Sequence, residues 1–580
     1  MRNKIALISV YNKEGIIEFA KELVQMGWKI ISSGGTAKHL ASAGIEVLDV
    51  AEITGMPPIL DHRVLTLHPK IHGGLLVLDK PEHLAELEKY GIPWIDLVCV
   101  DLYPLEEEIA KYTPSASGTS PFAGGGKEAV LEKTDMGGVA LLRSSAKGGR
   151  ITICDQADRM EVIEWLKAGE PDKENFLNNL RAKTENVISK YCETSAEYHD
   201  NKYRAIFGEK VLECAYGENA YQKPAGLFTN GHGDVLGISN WKLLEGSPLS
   251  YNNICDVDRM LQTVTHIAAG FDKNFSNVPK IAIGVKHGNA CGAGVASVDD
   301  FVQSLGPSLR SATPSQNHAA SAIEKMLQGD LRAIFGGSVM LNFEVDEKVA
   351  DELIHRYAGE DRRLLDIVAA PSFTTEAIEI LSRKKGKCRL LVNPAIEKAG
   401  LNSIDTEQRF RYVRGGFLQQ PNYTFVPEIN NRDVILAWAI GCTSNSNTIT
   451  LVKDSRLVGN GVGQQDRVGA AKLAIFRADE SARELKNSAD GRFHPKDGVM
   501  SKNFSVPGRT SEADLEGTTA YSDSFFPFPD APEVLIARGI KTIFSTSGSV
   551  NDEKIIELCK SKGVNLIMLP DTEARGFYQH

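Results

Sequence analysis

The sequence predicts an α/β protein whose first part is an open sheet of parallel strands. An apolar, strand-like run at residues 4–10 is followed by apolar residues at helical spacing over residues 16–23, and Gly27 ends that helix. A second strand-like run opens at Trp28 and leads directly into a glycine turn at residues 33–36 and another helix. Strands that alternate with helices in this way form parallel sheets with helices on their faces.

Length and composition bound the class of protein. The 580 residues exceed what one core supports, and a prior of about 150 residues per domain predicts three or four structural units. The net charge of −10, without a run of Lys or Arg, argues against a nucleic-acid partner. The start lacks a signal-peptide pattern and no apolar stretch approaches about 18 residues, so we expect no membrane association. Nine scattered cysteines without a C-x-x-C pair predict reduced thiols in a cytoplasmic protein.

The glycine turn after the second strand is a candidate phosphate site. Backbone N–H groups and the helix dipole hold phosphates at such strand-to-helix turns, and Ser33 and Thr36 add hydroxyl groups. From these residues alone, a plain tight turn fits equally well.

Two further stretches place polar groups near the ends of predicted strands. The stretch at residues 61–74 contains three histidines and several cations, and Asp61 is its one carboxylate. The spacing matches no metal-ligand pattern, so we interpret it as an anion pocket. A buried-type strand at residues 95–100 then leads into Asp101 and Tyr103, at the carboxyl end where open α/β sheets bind ligands.

The pair Lys286 and His287 is the strongest candidate for catalysis. It follows the apolar run at residues 280–285, and we expect the turn that follows to be made by Gly288 and Asn289. A neighbouring ammonium disfavours the protonated imidazole, so the histidine can act as a base while the lysine stabilises an oxyanion. This chemistry suits acyl-type transfer to a weak amine, although a lone surface pair at the end of a core strand is the alternative.

Seven motifs spread over the chain resemble the AICAR transformylase/IMP cyclohydrolase family, the bifunctional enzymes of late purine biosynthesis. They read SGGTAK, RVLTLHP, DLYP, TDMGGVALLRSSAK, LSYNNICD, KHGNACG and SDSFFPFPD. The resemblance implies a methylglyoxal-synthase-like domain with an open parallel sheet at residues 1–155 and a helical connector at 156–205. A transformylase domain would follow at 206–580, with two cytidine-deaminase-like subdomains at about 206–375 and 376–580.

The resemblance also implies two activities on one chain. The second domain would transfer a formyl group from 10-formyltetrahydrofolate to AICAR, and the first would close formyl-AICAR to IMP with loss of water. The partners would be AICAR, formyl-AICAR, IMP and folate, without a catalytic metal or redox cofactor. We further expect a cytoplasmic homodimer.

By the same resemblance, functional residues fall in four groups. The first domain would bind its nucleotide through Tyr11, Asn12, Lys13, Ser33, Gly34, Gly35, Thr36, Arg63, Thr66 and Asp101. Its ring closure would use Lys147, Tyr103 and Asp135. The second domain would use Lys286, His287 and Asn447 in catalysis and Tyr216, Asn253, Gly336, Asp366, Arg467, Phe525 and Arg575 to bind substrate. Folate would contact Val468, Asp530, Ser547 and Gly548.

The chain departs from the family motifs at several positions. Leu65 stands where the family has a lysine, Ala215 replaces an arginine, and Tyr221 replaces a histidine. Asp101 replaces an asparagine, Ala290 a proline, and a Gly, Ser and Pro-rich insert occupies residues 112–127, which we expect to be a mobile surface loop. These changes leave two alternatives: a transformylase with an impaired cyclohydrolase, or a non-catalytic nucleotide-binding paralogue.

A zinc-dependent nucleobase deaminase is a third alternative, because the transformylase fold of the family resembles cytidine deaminase. Such enzymes need H-x-E and P-C-x-x-C ligands, and His287 is followed instead by Gly288 and Asn289. The sequence therefore disfavours this chemistry.

Overall fold

The computed structural model describes residues 3–60, 64–112, 127–231, 233–296, 314–358, 362–489 and 512–579. The chain forms two compact units, residues 1–207 and 208–580, fewer than the three or four that length alone predicts. The second unit exceeds an ordinary domain because one long sheet runs through it.

The first unit is built on the predicted open sheet. Its strands are β1 (Ile5–Ser9), β2 (Lys29–Ser32), β3 (Val47–Asp49), β4 (Leu97–Val100) and β5 (Ile151–Ile153). Its helices are α1 (Ile16–Gln25), α2 (Gly34–Ser42), α3 (Val50–Thr54), α4 (Pro69–Leu76), α5 (Pro81–Tyr90), α6 (Leu105–Tyr112), α7 (Lys127–Glu132), α8 (Gly137–Gly148), α9 (Asp158–Lys167) and α10 (Lys173–His199).

All pairings in this sheet are parallel, in the order β3-β2-β1-β4-β5. Strand β4 is buried along its whole length, and α1 buries the predicted stripe of Ile16, Phe19, Ala20 and Leu23. The prediction of an α/β fold with a parallel sheet is confirmed. Because the strand order reverses at β1, the carboxyl ends of β1, β2 and β4 border one crevice, where such sheets bind ligands.

Residues 156–205 are helical, as predicted for the connector. Helices α9 and α10 lie within the first compact unit, and α10 buries Leu180 and Ile188. The segment therefore completes the packing of the first sheet and also leads to the second unit.

The second unit contains fifteen strands and ten helices among its described residues. Its strands are β6 (Glu209–Cys214), β7 (Ala225–Thr229), β8 (Lys242–Glu245), β9 (Ile281–Lys286), β10 (Asn289–Val295), β11 (Ser338–Leu341), β12 (Ile367–Ala370), β13 (Arg389–Val392), β14 (Gln408–Val413), β15 (Gly416–Pro421), β16 (Ile449–Lys453), β17 (Arg456–Gly461), β18 (Thr519–Ser522), β19 (Thr542–Ser547) and β20 (Asn565–Pro570). Its helices are α11 (Tyr251–Phe275), α12 (Pro314–Leu327), α13 (Leu331–Ile334), α14 (Glu347–His355), α15 (Thr375–Leu381), α16 (Arg432–Cys442), α17 (Arg467–Ala489), α18 (Asp530–Ala537), α19 (Asp552–Ser561) and α20 (Asp571–Ala574).

Eleven strands form one mixed sheet, in the order β20-β19-β18-β16-β17-β10-β9-β11-β12-β13-β8. Each half contains an antiparallel hairpin followed by three strands that pair in parallel, and β10 pairs with β17 where the halves meet. The two predicted subdomains are thus joined in one sheet. The first half extends past the predicted boundary near residue 375, since β13 pairs with β12.

Helices α11 and α16 form the centre of this unit, and Phe271 and Trp438 are among its fully buried side chains. Gly459 and Gly461 allow close packing against α17: a Cβ atom at Gly461 would lie 2.1 Å from the carbonyl oxygen of Ala470. Within the described ranges, no helix is long and apolar enough to cross a membrane.

Candidate active sites

The first candidate site lies at the carboxyl ends of β1, β2 and β4. The loop after β1 carries Tyr11, Asn12 and Lys13, and Ser33 is the N-cap residue of α2. Added Cβ atoms at Gly34 and Gly35 would meet no neighbouring atom within 4 Å. The turn therefore keeps an open backbone face of the kind that accepts phosphate.

Thr36 differs from the other residues of this turn because its hydroxyl is engaged. The side chain is buried, accepts a hydrogen bond from the Val10 N–H at 3.3 Å and donates one to the Val10 carbonyl at 3.1 Å. Thr36 thus ties the start of α2 to the end of β1.

Asp101 forms an ion pair that the sequence did not indicate. The buried Arg159 of α9 donates from one nitrogen to both Asp101 oxygens, at 2.7 and 3.0 Å. Its other terminal nitrogen donates to the Glu14 carbonyl at 2.6 Å. Burial raises the pKa of Asp101, and the Arg159 charge opposes that rise. Arg159 therefore holds the end of β4 and the loop after β1 together.

Lys13 turns toward its own loop. Its ammonium donates to the backbone oxygens of Val10 and Tyr11, and burial lowers its pKa while the charge of Asp101 opposes that change. Asn12 donates to the Gln156 side chain at 3.3 Å. The loop that is predicted to hold the nucleotide is thus fixed from several sides.

Tyr103 and Asp135, predicted for ring closure, lie close together. Asp135 accepts hydrogen bonds from the backbone N–H groups of Gly138, at 2.6 Å, and Tyr103. Burial raises the pKa of both side chains, and the Asp135 charge raises that of Tyr103 further. The Tyr103 ring meets the Tyr11 ring edge to face, with centroids 5.5 Å apart. This group offers a phenol and a carboxyl beside the loop after β1.

Thr66 and Lys147 lie at opposite ends of α8. A Cβ atom at Gly137 would approach the buried Thr66 hydroxyl to 3.0 Å, so Thr66 belongs to the group around Asp135. Lys147 is exposed and stands ten residues further along the helix, or about 15 Å. The structure does not bring it to Asp135. Leu65 is half-buried, while Arg63 lies outside the described residues, as does most of the predicted insert at 112–127.

The histidines of the predicted anion pocket have local partners. His68 caps α4 by accepting from the Lys70 N–H at 3.2 Å, and His72 pairs with the Ser144 hydroxyl at 2.8 Å. His62 lies outside the described residues. In the part of the chain that the structure describes, no group of three or more His, Cys, Asp or Glu side chains could hold a metal ion.

The second candidate site is centred on the turn between β9 and β10. The backbone has positive φ at His287 (53°) and Gly288 (73°), and Asn289 already pairs with Lys286. The turn therefore lies one residue earlier than predicted, because a tight two-residue hairpin needs left-handed conformations at both central positions. His287 is exposed at the tip of the hairpin rather than at the end of the strand.

Neighbouring groups fix this turn. The Lys286 ammonium donates to the Phe335 carbonyl at 2.9 Å, and the Gly288 N–H donates to Asp256 of α11 at 2.7 Å. Burial raises the pKa of Asp256, opposed first by the Gly288 N–H and then by the nearby imidazole of His287.

A cavity of about 290 Å³ opens beside the turn. Its wall contains Lys286, His287, Asn289, Ala290, Cys291, Gly329, Asp330, Ala333, Leu457, Gly459, Asn460, Val462 and Arg477. The two predicted catalytic residues thus line an open cavity that is large enough for part of a substrate.

The predicted nucleotide residues Asn253 and Asp366 contact one another. The Asn253 amide donates to Asp366 at 2.6 Å, and Arg389 donates to the other Asp366 oxygen at 2.7 Å. Gly336, with a φ of 74°, directly follows the carbonyl that Lys286 contacts. The Asp366 N–H donates to the Gly337 carbonyl, so this group lies beside the segment that Lys286 contacts. Sequence reasoning missed Arg389.

The segment at residues 215–219, which contains the sequence YGEN, packs against the start of α11. The Tyr216 carbonyl accepts from the Tyr251 N–H at 3.0 Å, and the Ala215 N–H donates to Leu249. Tyr221 is 82% exposed. Ala215, where the family has an arginine, thus packs against the protein. Tyr221, where the family has a histidine, faces solvent.

Asn447 is held by the loop after β17. Its amide donates to the Gln464 carbonyl at 3.0 Å, and its backbone exchanges hydrogen bonds with the same residue. Arg467, predicted to bind phosphate, forms a buried ion pair with Asp523 and donates to Ser522 at 3.2 Å. Sequence reasoning missed Asp523.

One predicted folate residue, Gly548, lies with two of the predicted substrate residues. Phe525, Gly548 and Arg575 lie together, since a Cβ atom at Gly548 would be 3.9 Å from the Phe525 ring and the Arg575 guanidinium lies 5.7 Å from that ring's centroid. Arg575 also pairs with Asp571 at 2.5 Å. Ser547 immediately precedes Gly548 in the chain. Of the two remaining predicted folate residues, Asp530 starts α18 and Val468 lies in the first turn of α17.

Comparisons with known proteins show the family of the chain. The family model of the AICARFT/IMPCHase bienzyme matches residues 150–477, and that of the MGS-like domain matches residues 15–117. The bifunctional purine biosynthesis protein PurH of Oceanobacillus iheyensis is 32% identical over 97% of this chain and 98% of its own length. The protein of the same name from Bacillus cytotoxicus is 33% identical over the same shares.

The chain belongs to the AICARFT/IMPCHase bienzyme family. It is accordingly an enzyme of purine biosynthesis that combines formyl transfer with cyclohydrolase activity, as predicted. Formyl transfer in this family implies a folate-type co-substrate.

Proposed function

We propose that the second unit transfers the formyl group of 10-formyltetrahydrofolate to the 5-amino group of AICAR. The observation that carries this proposal is the placement of Lys286 and His287, on one tight turn in the wall of the cavity. A base and a cation side by side are what acyl transfer to a weak amine requires.

The proposed step forms one bond and breaks another. The amine nitrogen of AICAR attacks the formyl carbon while His287 accepts its proton, and Lys286 stabilises the oxyanion of the tetrahedral intermediate. The bond to N10 of the folate then breaks, and N10 takes up a proton. Because the amine lone pair is drawn toward the neighbouring carboxamide, removal of the proton during attack is the main contribution of the base.

AICAR would lie beside Asn253, Asp366 and Gly336, with Asn447 facing the same space. The contact between Asn253 and Asp366 supports this placement because Asp366 also bonds to Gly337, two residues after the carbonyl that Lys286 contacts. Tyr216, Arg467, Phe525 and Arg575 remain our predicted further contacts to substrate. Val468, Asp530, Ser547 and Gly548 remain the predicted contacts to folate.

The first unit would close formyl-AICAR to IMP. The carboxamide nitrogen attacks the formyl carbon and loses one proton, while the formyl oxygen gains one and becomes a hydroxyl. This hydroxyl leaves as water after it is protonated, and the former formamide nitrogen gives up its proton as the C=N bond of the new ring forms. Tyr103 and Asp135 support this assignment because each is near the other and each is held toward its protonated form by burial. The role of Lys147 in this step and that of Arg63 in nucleotide binding stay predictions.

The assembly and location of the enzyme are also proposals. We propose a cytoplasmic homodimer whose transformylase sites use both subunits, as the family resemblance implies. Sedimentation of the purified chain would give the mass of the assembly, and a monomer with full formyl transfer would contradict the proposal.

The test of the proposed function uses the purified full chain. With AICAR and 10-formyltetrahydrofolate we expect formyl-AICAR followed by IMP, and with purified formyl-AICAR alone we expect IMP. A chain that converts AICAR only as far as formyl-AICAR would be a transformylase with an impaired cyclohydrolase. A chain that binds AICAR but converts neither substrate would be a non-catalytic relative.

A further inference from the structure

One face of α11 carries three polar side chains at successive turns, Asn253, Asp256 and Arg259. Residues three apart in a helix lie on the same face. Asn253 contacts the nucleotide side of the second site, and Asp256 holds the turn that carries His287. Arg259, which no motif singled out, contacts a third segment.

That third segment is residues 443–447, which leads to the predicted catalytic Asn447. The Arg259 guanidinium donates from one nitrogen to the Thr443 carbonyl at 2.8 Å and to the Asn445 side-chain oxygen at 3.0 Å. Thr263, one turn further along α11, shares a hydrogen bond of 2.8 Å with the Thr443 hydroxyl. Arg259 and Thr263 thus fix the start of the segment against α11.

The surroundings of Arg259 keep its guanidinium in place. The residue is buried, and the guanidinium stacks on the Tyr578 ring at 3.7 Å from the centroid. Tyr578 in turn donates its backbone N–H to the Ser444 carbonyl at 3.0 Å and pairs with Asp258. The C-terminal segment therefore contacts both α11 and the segment of residues 443–447.

Arg259 also lies beneath the catalytic turn. A Cβ atom at Gly288 would be 4.0 Å from both Cβ and Cγ of Arg259. The aliphatic part of the arginine therefore supports the turn, while its guanidinium binds Asn445. One rigid helix thereby sets the spacing between His287 and Asn447.

We propose that Arg259 is a positioning residue for formyl transfer, which holds residues 445–447 at a fixed distance from the His287 turn. The inference rests on the proposed function of the second unit. Misplacement of a reacting group by about 1 Å can cost roughly 100-fold in rate, so loss of this support acts on turnover more than on binding.

The test compares Arg259→Met with Arg259→Lys in the full chain. We expect Arg259→Met to lower kcat for formyl transfer roughly 10- to 100-fold and to change the AICAR KM less than about threefold. Arg259→Lys keeps one donor to the segment and should recover part of kcat. The conversion of formyl-AICAR to IMP by the same chain should stay unchanged, which verifies that the first unit is intact.

Arg432→Met is the matched control. The Arg432 guanidinium lies 5.2 Å from the ring centroid of Phe271, toward the other end of α11. The Arg432→Met variant should leave the rate of formyl transfer unchanged. If Arg259→Met fails to fold, Asn445→Ala removes only the acceptor and should still lower kcat without raising KM.

The outcomes separate the two proposals. An inactive wild-type chain would overturn the proposed function itself. An active wild type with unchanged kcat in both Arg259→Met and Asn445→Ala would overturn only the positioning role. A rise in the AICAR KM at constant kcat would overturn it too, because it would make Arg259 a contributor to binding.

Discussion

The two units each bury an arginine beside their candidate site, but they satisfy it differently. In the first unit, both oxygens of Asp101 accept hydrogen bonds from Arg159. In the second, Arg259 donates to a carbonyl and an amide oxygen and stacks on the Tyr578 ring. Removing a carboxylate leaves a buried charge without its counter-charge, whereas removing an amide leaves one hydrogen bond unmade. We therefore expect that the arginine pair of the first unit mainly stabilises the fold. The arginine of the second unit should mainly align the segments of its site.

The largest effect should follow removal of the Asp101 carboxylate. We expect Asp101→Ala to lower the free energy of unfolding of the first unit by about 3–5 kcal/mol, because the buried guanidinium of Arg159 loses its charged partner. Urea unfolding, with hydrogen exchange in β1 and β4 as the reporter, measures this. The control Arg143→Met breaks an exposed pair with Glu185 and should cost no more than about 1 kcal/mol. Equal losses in both variants would contradict the distinction.

Glu484 of α17 is a carboxyl that accepts its hydrogen bond from a backbone N–H, not from a guanidinium. It accepts from the Arg332 backbone N–H at 3.1 Å, and burial raises its pKa to about 7. A raised acid pKa means that the folded state keeps a proton that the unfolded state has lost. Stability should therefore fall as the pH rises from 4.5 to about 7, by about 3 kcal/mol at most, and stay level above that.

Glu484→Gln should remove this pH dependence from the second unit. Urea unfolding between pH 4.5 and 8, with hydrogen exchange in β17 as the reporter, compares the variant with the wild type. Parallel stability curves for the two chains would show that Glu484 ionises normally in the folded protein.

Leu65 and Ala215 allow the same experiment in both units, because each stands where the family has a cation. We expect Leu65→Lys to lower the KM for formyl-AICAR about tenfold and to leave kcat nearly unchanged, as one charge-assisted hydrogen bond is worth roughly 1.5–3 kcal/mol. The assay is IMP formation from purified formyl-AICAR. A parallel rise of kcat and kcat/KM would instead assign the lysine a role in the transition state.

Ala215→Arg should have the smallest effect. Arg389 already lies beside Asp366 on the nucleotide side of the second site, so an added guanidinium has less to supply. We expect the KM for AICAR to fall less than about threefold. A tenfold fall would show that no other basic side chain replaces the family arginine.

Local patterns predicted the elements of this protein well. Helical spacing placed α1, and apolar runs placed β1, β2 and β9 within about a residue or two of their observed ends. The turn after β9 was placed one residue late because composition favours glycine and asparagine in turns, and it does not reveal that His287 itself adopts a left-handed conformation.

Local sequence patterns could not predict the hydrogen-bond partners of the site residues. Arg159 pairs with a residue 58 positions away, and Arg259 contacts a segment 184 positions away. Nothing in the sequence around either arginine distinguishes it from a surface residue of an amphipathic helix. Thr36 shows the same limit. The sequence predicts that its hydroxyl binds phosphate, but in the fold this hydroxyl donates to the carbonyl of Val10, the residue after β1.

His287→Ala tests the central claim most directly. If His287 takes the proton from the AICAR amine, formyl transfer should fall by about 10² to 10⁴, while AICAR binding and the conversion of formyl-AICAR to IMP stay near their wild-type values. Formyl transfer at the wild-type rate in this variant would remove His287 from the mechanism and contradict the account of the second site.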